Sequence, residues 1–567
     1  MINFHTIKKT IHKNEWFLVL FFIIVATIVL SLFKWVPIQP DEINTRLTNA
    51  RFFIDGFKFY GYQIPCTLKP LNTPLILFPE AILWSISSQL TNTFLMRLFP
   101  FLSYIFFALS ISYAVWKFYR LPLFYCGLIS TSIFLLSFSN ASSIWNVTQR
   151  VENLLFLISA LFIYLYAIFE KKTLKSLANK FLVCLSIFFW LSICFAHPKA
   201  MYFILLPLGL VLIYFENKFL KIFLLSFVFL SCFNIVDLGF AKFMKCDTNL
   251  DLQQWGMGMN VNALKLFTNP VQYFASFKEH WSVHWANLFD RAPNNLSYIA
   301  NPDIGHTPSV KSTGYWTNLT NLLIRINFFL NLHFFLGAIL YYSCSFFRNC
   351  LKNEHRSDVY LIFSFSVALF AMMTHNRTLN SYDVQTWSIF MNFINIIFII
   401  QLILKYKKTD TLYKFVYYYF FIAAFLWSYN IITFYKKYYK VYTTSWNSNH
   451  FAGPGVPIKY LSSKIIREIQ SNYQDCSFGL NPEILFIDDR SYIPLERISH
   501  IFPITYTAQA LYYGRSKEEG FRQFNVFLSN YRDPIFIGAC EFLPELPSAF
   551  YIKKKYDSTG LCCFLTK

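Results

Sequence analysis

Apolar runs long enough to cross about 30 Å of hydrocarbon recur through the first three-quarters of the chain, separated by short polar breaks. They predict eleven membrane-spanning helices: Trp16–Phe33, Phe94–Trp116, Leu121–Ser139, Val151–Phe169, Phe181–Ala196, Met201–Phe215, Ile222–Phe240, Ile326–Phe347, Val359–Met373, Thr386–Leu404 and Phe415–Phe434. The two runs on either side of Ala196-His197-Pro198 are short, and a broken or re-entrant hairpin covered by protein also satisfies the pattern there. After Phe434 the pattern changes. A helix near Ile458–Gln470, a strand-like run at Ile484–Asp488, a helix over Lys517–Leu528 and a strand-like run at Pro534–Gly538 predict a small α/β or α+β unit. The chain thus divides into 1–434, a polytopic helical membrane part with large connections at 34–93 and 241–325, and 435–567, a soluble C-terminal domain. Gly453-Pro454-Gly455 is the expected hinge.

Lysine and arginine set the sidedness. Lys8, Lys9 and Lys13, then Lys117 with Arg120, Lys171/Lys172/Lys175/Lys180, Lys218 with Lys221, Arg348/Lys352/Arg356 and Lys405/Lys407/Lys408/Lys414 occupy every second connection. The intervening Asn140–Arg150 and Thr374–Gln385 carry one Arg each. The positive-inside rule then predicts a cytoplasmic N-terminus, and an odd number of spans leaves everything after Phe434 outside.

Composition agrees. The 567 residues are 55% hydrophobic, 20% aromatic and 14% charged, with a mean hydropathy of +0.39, against about 25% charged in soluble domains. A string of soluble domains is excluded, and 67 Phe with 36 Tyr excludes disorder. The net charge of +20 follows from the topology, so the expected partner is the lipid bilayer and not nucleic acid. Cys126, Cys184, Cys194, Cys232, Cys344 and Cys350 lie in or near spans, as small apolar residues do. Cys66, Cys246, Cys476, Cys540, Cys562 and Cys563 fall on the outer side, where pairing is permitted, but spacing alone fixes no connectivity.

The first outer connection carries the candidate chemistry. Asp41 and Glu42 follow the first span closely, where charged carboxylates are costly unless a partner or a function offsets them. Arg46, Arg51, a Gly56 turn and Lys69-Pro70 follow, then Pro74 and an apolar, interfacial stretch at Leu75–Ile86 containing Glu80. Taken singly, each has an ordinary reading: solvated flank for the acids, a snorkelling side chain for Lys69, an ion pair for Arg150 with Glu152. Together with Arg97, His197-Pro198-Lys199, Arg377 and Tyr382-Asp383, all predicted on the same side, they suggest one polar cluster.

The order Asp41-Glu42, Arg46, Gly56, Lys69-Pro70, Pro74, Glu80-Ala81, followed by Arg150-Val151-Glu152 at the start of a span, resembles the GT-C glycosyltransferases that use polyprenyl-phosphate sugars. It is most similar to the branch of the lipid A aminoarabinose transferase and the protein O-mannosyltransferases. Leu68, the single Pro after Lys69, and Val151 depart from the aminoarabinose pattern. The resemblance implies inverting transfer of a hexosyl or pentosyl group from a polyprenyl-phosphate donor to an extracytoplasmic lipid, glycan or protein. Asp41 is the expected base, with Glu42 orienting it, while Lys69, Arg377 and Arg150 bind the donor phosphate. Arg46, Glu152, His197 and Tyr382 orient donor or acceptor. No cofactor is assigned, and a divalent metal at the acidic pair, which some relatives use, stays open for want of a clear third ligand.

The alternative is a multi-spanning transporter or flippase, which would place ionisable residues in mid-span. A receptor-like protein would rest its function on the C-terminal domain. A bacterial inner membrane is the expected location, on the resemblance. Asn-X-Ser/Thr sequences at Asn140, Asn146, Asn295, Asn318 and Asn376 fall in predicted outer regions and would matter only in a eukaryotic host.

Overall fold

The computed structural model describes residues 18–31, 93–138, 146, 152–169, 177–196, 198–244, 265–279, 315–352, 356–375, 381–406, 409–443, 462–495, 498, 501–504, 511–512 and 514–567. The helical part consists of α1 (Leu18–Ser31), α2 (Thr93–Tyr119), α3 (Leu123–Ser137), α4 (Glu152–Ile168) and α5 (Leu177–Ala196). A 3-10 turn η1 (Pro198–Phe203), α6 (Leu205–Tyr214), α7 (Lys218–Met244) and α8 (270–279) follow. The series closes with α9 (Tyr315–Leu351), α10 (Ser357–His375), α11 (Ser381–Lys405) and α12 (Thr409–Thr443). Among the described residues, five stretches are long and apolar enough to cross a membrane: Pro100–Tyr119, Leu177–Cys194, Lys218–Ile235, Phe329–Leu351 and Thr386–Lys405. Shorter apolar helices account for α1, α3, α4, α10 and the Lys199–Tyr214 stretch. This is a polytopic helical membrane protein. The exposed Phe219, Ile222, Phe223, Leu230 and Phe233 on α7 form the kind of apolar outer surface that only lipid can solvate.

The break at His197 has a physical consequence. Met201–Phe215, read as one span, takes in the second half of a six-residue 3-10 turn that begins at Pro198 and the ten-residue α-helix that follows it. At about 2.0 Å and 1.5 Å per residue the whole turn and the helix rise about 27 Å together, so the stretched turn recovers length that a short α-helix lacks. Tyr166 and Tyr360 clamp α6, their hydroxyls donating to the carbonyls of Leu206 (2.9 Å) and Leu205 (3.2 Å). A Cβ at Gly209 would fall against both rings, so only glycine admits this approach.

Ring packing orients the helices. Tyr125 of α3 stacks on Tyr413 of α12 at 4.2 Å, and Phe21 and Phe22 of α1 meet Phe420 and Phe134. Gln401 near the end of α11 donates to the Tyr119 hydroxyl (2.6 Å) at the end of α2 and to the Asp358 carboxylate (3.0 Å) at the start of α10. Arg356 pairs with Asp358 at 2.7 Å, and Tyr214 of α6 bonds Ser357 at 2.6 Å. These contacts gather Lys117, Arg120, Lys218, Arg356 and Lys405 at one end, the basic end. There α2 stops because Arg120 takes the left-handed conformation (φ 55°) and Pro122 opens α3. The opposite end holds the start of α2, the end of α3 and the start of α4, joined by Phe101–Phe138 (5.8 Å) and Tyr104–Phe156 (4.4 Å).

The C-terminal residues build a second core. It contains α13 (Ser463–Ser477), β1 (Leu485–Ile487), α14 (Asp489–Leu495), β2 (Ile501–Pro503), α15 (Lys517–Leu528), β3 (Ile535–Ala539), β4 (Phe550–Tyr556) and β5 (Leu561–Thr566). The sheet order is β2-β1-β3-β5-β4, parallel across β2-β1-β3 and antiparallel from β3 through β5 to β4. Ser462 and Ser516 cap α13 and α15. Alternation along β5 sends neighbouring side chains to opposite faces, so Cys563 pairs with Cys476 of α13 while Cys562 pairs with Cys540 just past β3. From 462 to 567 there are 12 Lys+Arg and 12 Asp+Glu, so the net charge of +20 resides entirely upstream. Lys554 and Tyr556 both reach the Asp475 carboxylate at 2.8 Å, and these hydrogen bonds hold it below the usual carboxylate range.

Asp488, beside Asp489 at the end of β1, caps a turn. Its buried carboxylate accepts from the Ser491 N–H (2.8 Å) and from the Ala539 N–H (2.9 Å), locking β1 to the end of β3. Asp488→Ala leaves two buried donors unmet and is expected to destabilise this unit by about 2–5 kcal/mol. Thermal unfolding of the full-length protein, followed by protease resistance of the C-terminal part, reads the loss.

Candidate active site

The helix ends opposite the basic end lead into the segments that carry the predicted chemistry. Asp41, Glu42, Arg46, Lys69, Arg150, His197 and Arg377 lie outside the described residues, as does the Gly453-Pro454-Gly455 hinge. Of Glu152 and Tyr382 the backbone alone is described: Glu152 is the first residue of α4 and Tyr382 the second of α11. The helix ends flanking these positions are well defined. α1 runs from the basic end towards Ser31, ten residues before Asp41. Arg150 precedes the start of α4, His197 stands between α5 and η1, and Arg377 lies in the five residues between α10 and α11.

Several described polar side chains occupy this same end. Arg97, one turn into α2, is fully buried. The Tyr104 hydroxyl of α2 donates to Asn153 Oδ1 at 3.1 Å, tying the two helices beside Glu152. Asn146 donates to the Ser137 carbonyl, one of the acceptors left over where α3 ends. On the other side of the end, the Trp190 indole N–H donates to the Ala200 carbonyl at 2.9 Å, and Phe203 wedges against Phe365 (5.7 Å) and Phe390 (5.3 Å). The turn that starts directly after His197 is thus held from two directions. Lys199 on that turn is half-buried, and Thr386 and Trp387 are buried one turn past Tyr382.

A buried cation in low dielectric favours an anionic partner, because each charge-assisted hydrogen bond there is stronger than in water. Tyr104, Asn153 and Trp190 carry no motif, and no pattern in the sequence marks them as neighbours of the cluster. The one available signal was a polar side chain inside an apolar run, which Arg97 gives and Asn153 gives weakly. Among the described residues, no group of three or more His, Cys, Asp or Glu could hold a metal ion.

No protein-family model matches the chain, and no curated protein sequence matches it. Solved structures do. An oligosaccharyltransferase of Archaeoglobus fulgidus, crystallised with zinc and sulfate, aligns over 92% of this chain and 68% of its own at 12% identity, with a TM-score of 0.41. ArnT of Cupriavidus metallidurans in the apo state aligns over 98% of both chains at 9% identity and a TM-score of 0.40. The same protein bound to undecaprenyl phosphate aligns over 96% of this chain and 97% of its own at 12% identity and a TM-score of 0.35.

Proposed function

We propose that the chain is an inverting membrane glycosyltransferase of the GT-C type, moving a sugar from a polyprenyl-phosphate donor to an extracytoplasmic acceptor. The observation that carries the reading is the convergence of helix ends. The end of α1, the start of α4, the start of η1 and the start of α11, from which the chain leads to Asp41-Glu42, Arg150, His197 and Arg377, lie towards the end of the bundle that holds the buried Arg97 and the Tyr104–Asn153 pair. Sidedness is supported by the thiols. α12 runs from the basic end towards a C-terminal unit with two disulfides, whereas Cys126, Cys184, Cys232, Cys344 and Cys350 of the helical part form no disulfide. Disulfides persist in oxidising compartments, which agrees with a cytoplasmic basic end and an outer site, as in a bacterial inner membrane protein with two parts at 1–434 and 435–567.

In this reading the acceptor oxygen attacks the sugar C1 while the C1–O bond to phosphate breaks through an oxocarbenium-like state. Asp41 takes the acceptor proton, and Glu42 keeps that carboxylate or the acceptor in line. Two adjacent carboxylates in a desolvated cleft do not both ionise freely, which raises one towards neutrality and suits a base. The departing lipid phosphate is a weak base and needs no general acid. Lys69, with Arg377 and Arg150, neutralises its growing charge, and Arg46, Glu152, His197 and Tyr382 orient the two substrates. One attack from the face opposite the phosphate inverts the anomeric centre.

Lys69→Ala is expected to raise the donor concentration giving half-maximal rate about tenfold or more, or about 1.4 kcal/mol. Initial rates over a donor titration measure it, and an unchanged half-saturation would remove Lys69 from the phosphate site. A transporter would carry its ionisable groups at mid-helix. In the stretches that qualify as membrane-crossing, the lysines and arginines Lys117, Lys180, Lys218, Lys221, Arg348 and Lys405 sit near helix ends, and His333 stands at the middle of α9 with its ring against the Phe329 carbonyl of the same helix.

A further inference from the structure

The outward face of α9 repeats every seven residues, and we propose that it docks against the same helix of a second copy of the chain. The membrane-crossing stretch Phe329–Leu351 is 22% buried against 72% for Thr386–Lys405, so most of α9 faces away from the bundle. Its rotation is fixed from the other side. Asn395 of α11 donates to the Asn331 carbonyl (2.6 Å) and side-chain oxygen (3.1 Å), and Phe346 stacks on Phe363 of α10 at 4.3 Å. Two rows run along the opposite face. One is Ile326, His333, Leu340 and Phe347, the other Leu330, Gly337, Cys344 and Leu351, so steps of four and three residues alternate without a break. All are exposed except the half-buried Gly337. A strict seven-residue repeat keeps to one face only where two helices wind around each other.

Apolar exposure alone asks for nothing but lipid, so the occupant is read from the residues that lipid does not suit. His333 has one ring nitrogen 2.7 Å from the Phe329 carbonyl, and its other nitrogen has no partner among the described residues. An unmet polar group is costly in hydrocarbon, and histidines on membrane helices meet that need by bonding across to a neighbouring helix. Gly337 and Cys344, seven residues apart in one row, let two backbones approach closely. The packing on α11 does not itself demand the glycine: a Cβ there would meet the Phe398 ring at 3.6 Å, an ordinary contact. The seam from Ile326 to Leu351 rises about 38 Å at 1.5 Å per residue, enough to cross the hydrocarbon, so the occupant is itself a membrane-crossing helix. Two copies in one membrane carry α9 in the same direction, and a two-fold axis along the membrane normal sets each position against its own counterpart. Gly337 of one copy then meets Gly337 of the other. The two His333 rings satisfy each other, one donating its Nε2–H and releasing the Phe329 carbonyl, the other accepting. The seam is thus self-complementary in both its small and its polar positions. The inference does not depend on the transfer reaction.

Cys344 makes the seam testable without a new side chain. The full-length protein, with Cys66→Ser and Cys246→Ser to silence outer thiols, is oxidised in its membranes with copper–phenanthroline and resolved without reductant. A disulfide needs Cα atoms within about 7 Å, so a band of twice the chain mass should form through Cys344 and disappear in Cys344→Ser. In that Cys344→Ser background, Leu340→Cys should restore the band. Phe334→Cys, and the native Cys350, lie about 100° to either side of the midline and should give about tenfold less dimer. These are exposed positions, so the substitutions leave the core of the bundle untouched. Absence of the dimer band from Cys344, a yield from position 334 or 350 equal to that from 340 and 344, or a crosslink to a different membrane protein would overturn the proposal.

Discussion

Asp41→Asn is expected to lower sugar transfer by about 10²–10⁴-fold, the usual loss when an essential base is removed. The substitution keeps the size and most of the hydrogen-bonding geometry of the side chain and deletes its ability to hold a proton from the acceptor. Donor binding should change little, because the phosphate is assigned to Lys69, Arg377 and Arg150. The variant should therefore retain the donor half-saturation of the parent protein while losing turnover. Elution of the detergent-solubilised protein and its melting temperature should match the parent, since asparagine keeps the size of the side chain it replaces. Initial rates at saturating donor decide the matter. Turnover within a few-fold of the parent would remove Asp41 from the reaction.

The second large effect concerns stability. The Cys476–Cys563 bond closes a loop of 87 residues, and such a constraint on the unfolded chain contributes about 2–5 kcal/mol. Cys476→Ser together with Cys563→Ser should lower the unfolding temperature of the C-terminal unit by about 10 °C or more, given the shift per kcal/mol of a domain this size. The double substitution avoids an unpaired thiol that could exchange with Cys562 or Cys540. Both removed sulfurs belong to buried residues joining α13 to β5, so an apolar contact is lost along with the bond. Melting of the full-length protein, read by protease resistance of the C-terminal part, measures the shift. A change of a degree or two would mean that packing of Phe486, Phe536 and Phe564 holds the sheet without the bond.

Much of the helical part was legible because apolar runs bounded by Lys and Arg leave few alternatives inside a bilayer. α2, α4, α10 and α11 begin within a few residues of the runs that predicted them. The 3-10 turn at Pro198–Phe203 was less legible: the His197-Pro198 pair signalled a break, but the turn owes its shape to Trp190, Phe365 and Phe390, which come from three other helices. In the C-terminal unit, the helix at Lys517–Leu528 announced itself through Ser516 and two glutamates in its first turn, matching the helix end for end. β4 escaped notice because its centre reads Lys553-Lys554-Lys555, an edge strand defended by charge rather than marked by alternation. The disulfide pairing was hidden for a related reason, since adjacent cysteines have no meaning until they stand on a strand whose two faces are covered by different elements.

The chemistry was legible only as a set of residue types near helix ends. Acids after a span and a lysine before a proline suggest proton removal and phosphate binding, but they do not reveal that Arg97 is out of water or that Tyr104 braces Asn153. Those depend on distance across the fold, which a single sequence with short, degenerate motifs does not encode.

The central claim is that a lipid-linked phosphate leaves as a sugar is transferred. The direct measurement is an incubation of the purified full-length protein in vesicles with a panel of labelled polyprenyl-phosphate sugars and candidate acceptors, following free polyprenyl phosphate. The account predicts that at least one donor yields lipid phosphate and labelled acceptor in equal amounts, with the anomeric configuration inverted. Movement of an intact donor across the bilayer, with no lipid phosphate released, would contradict it.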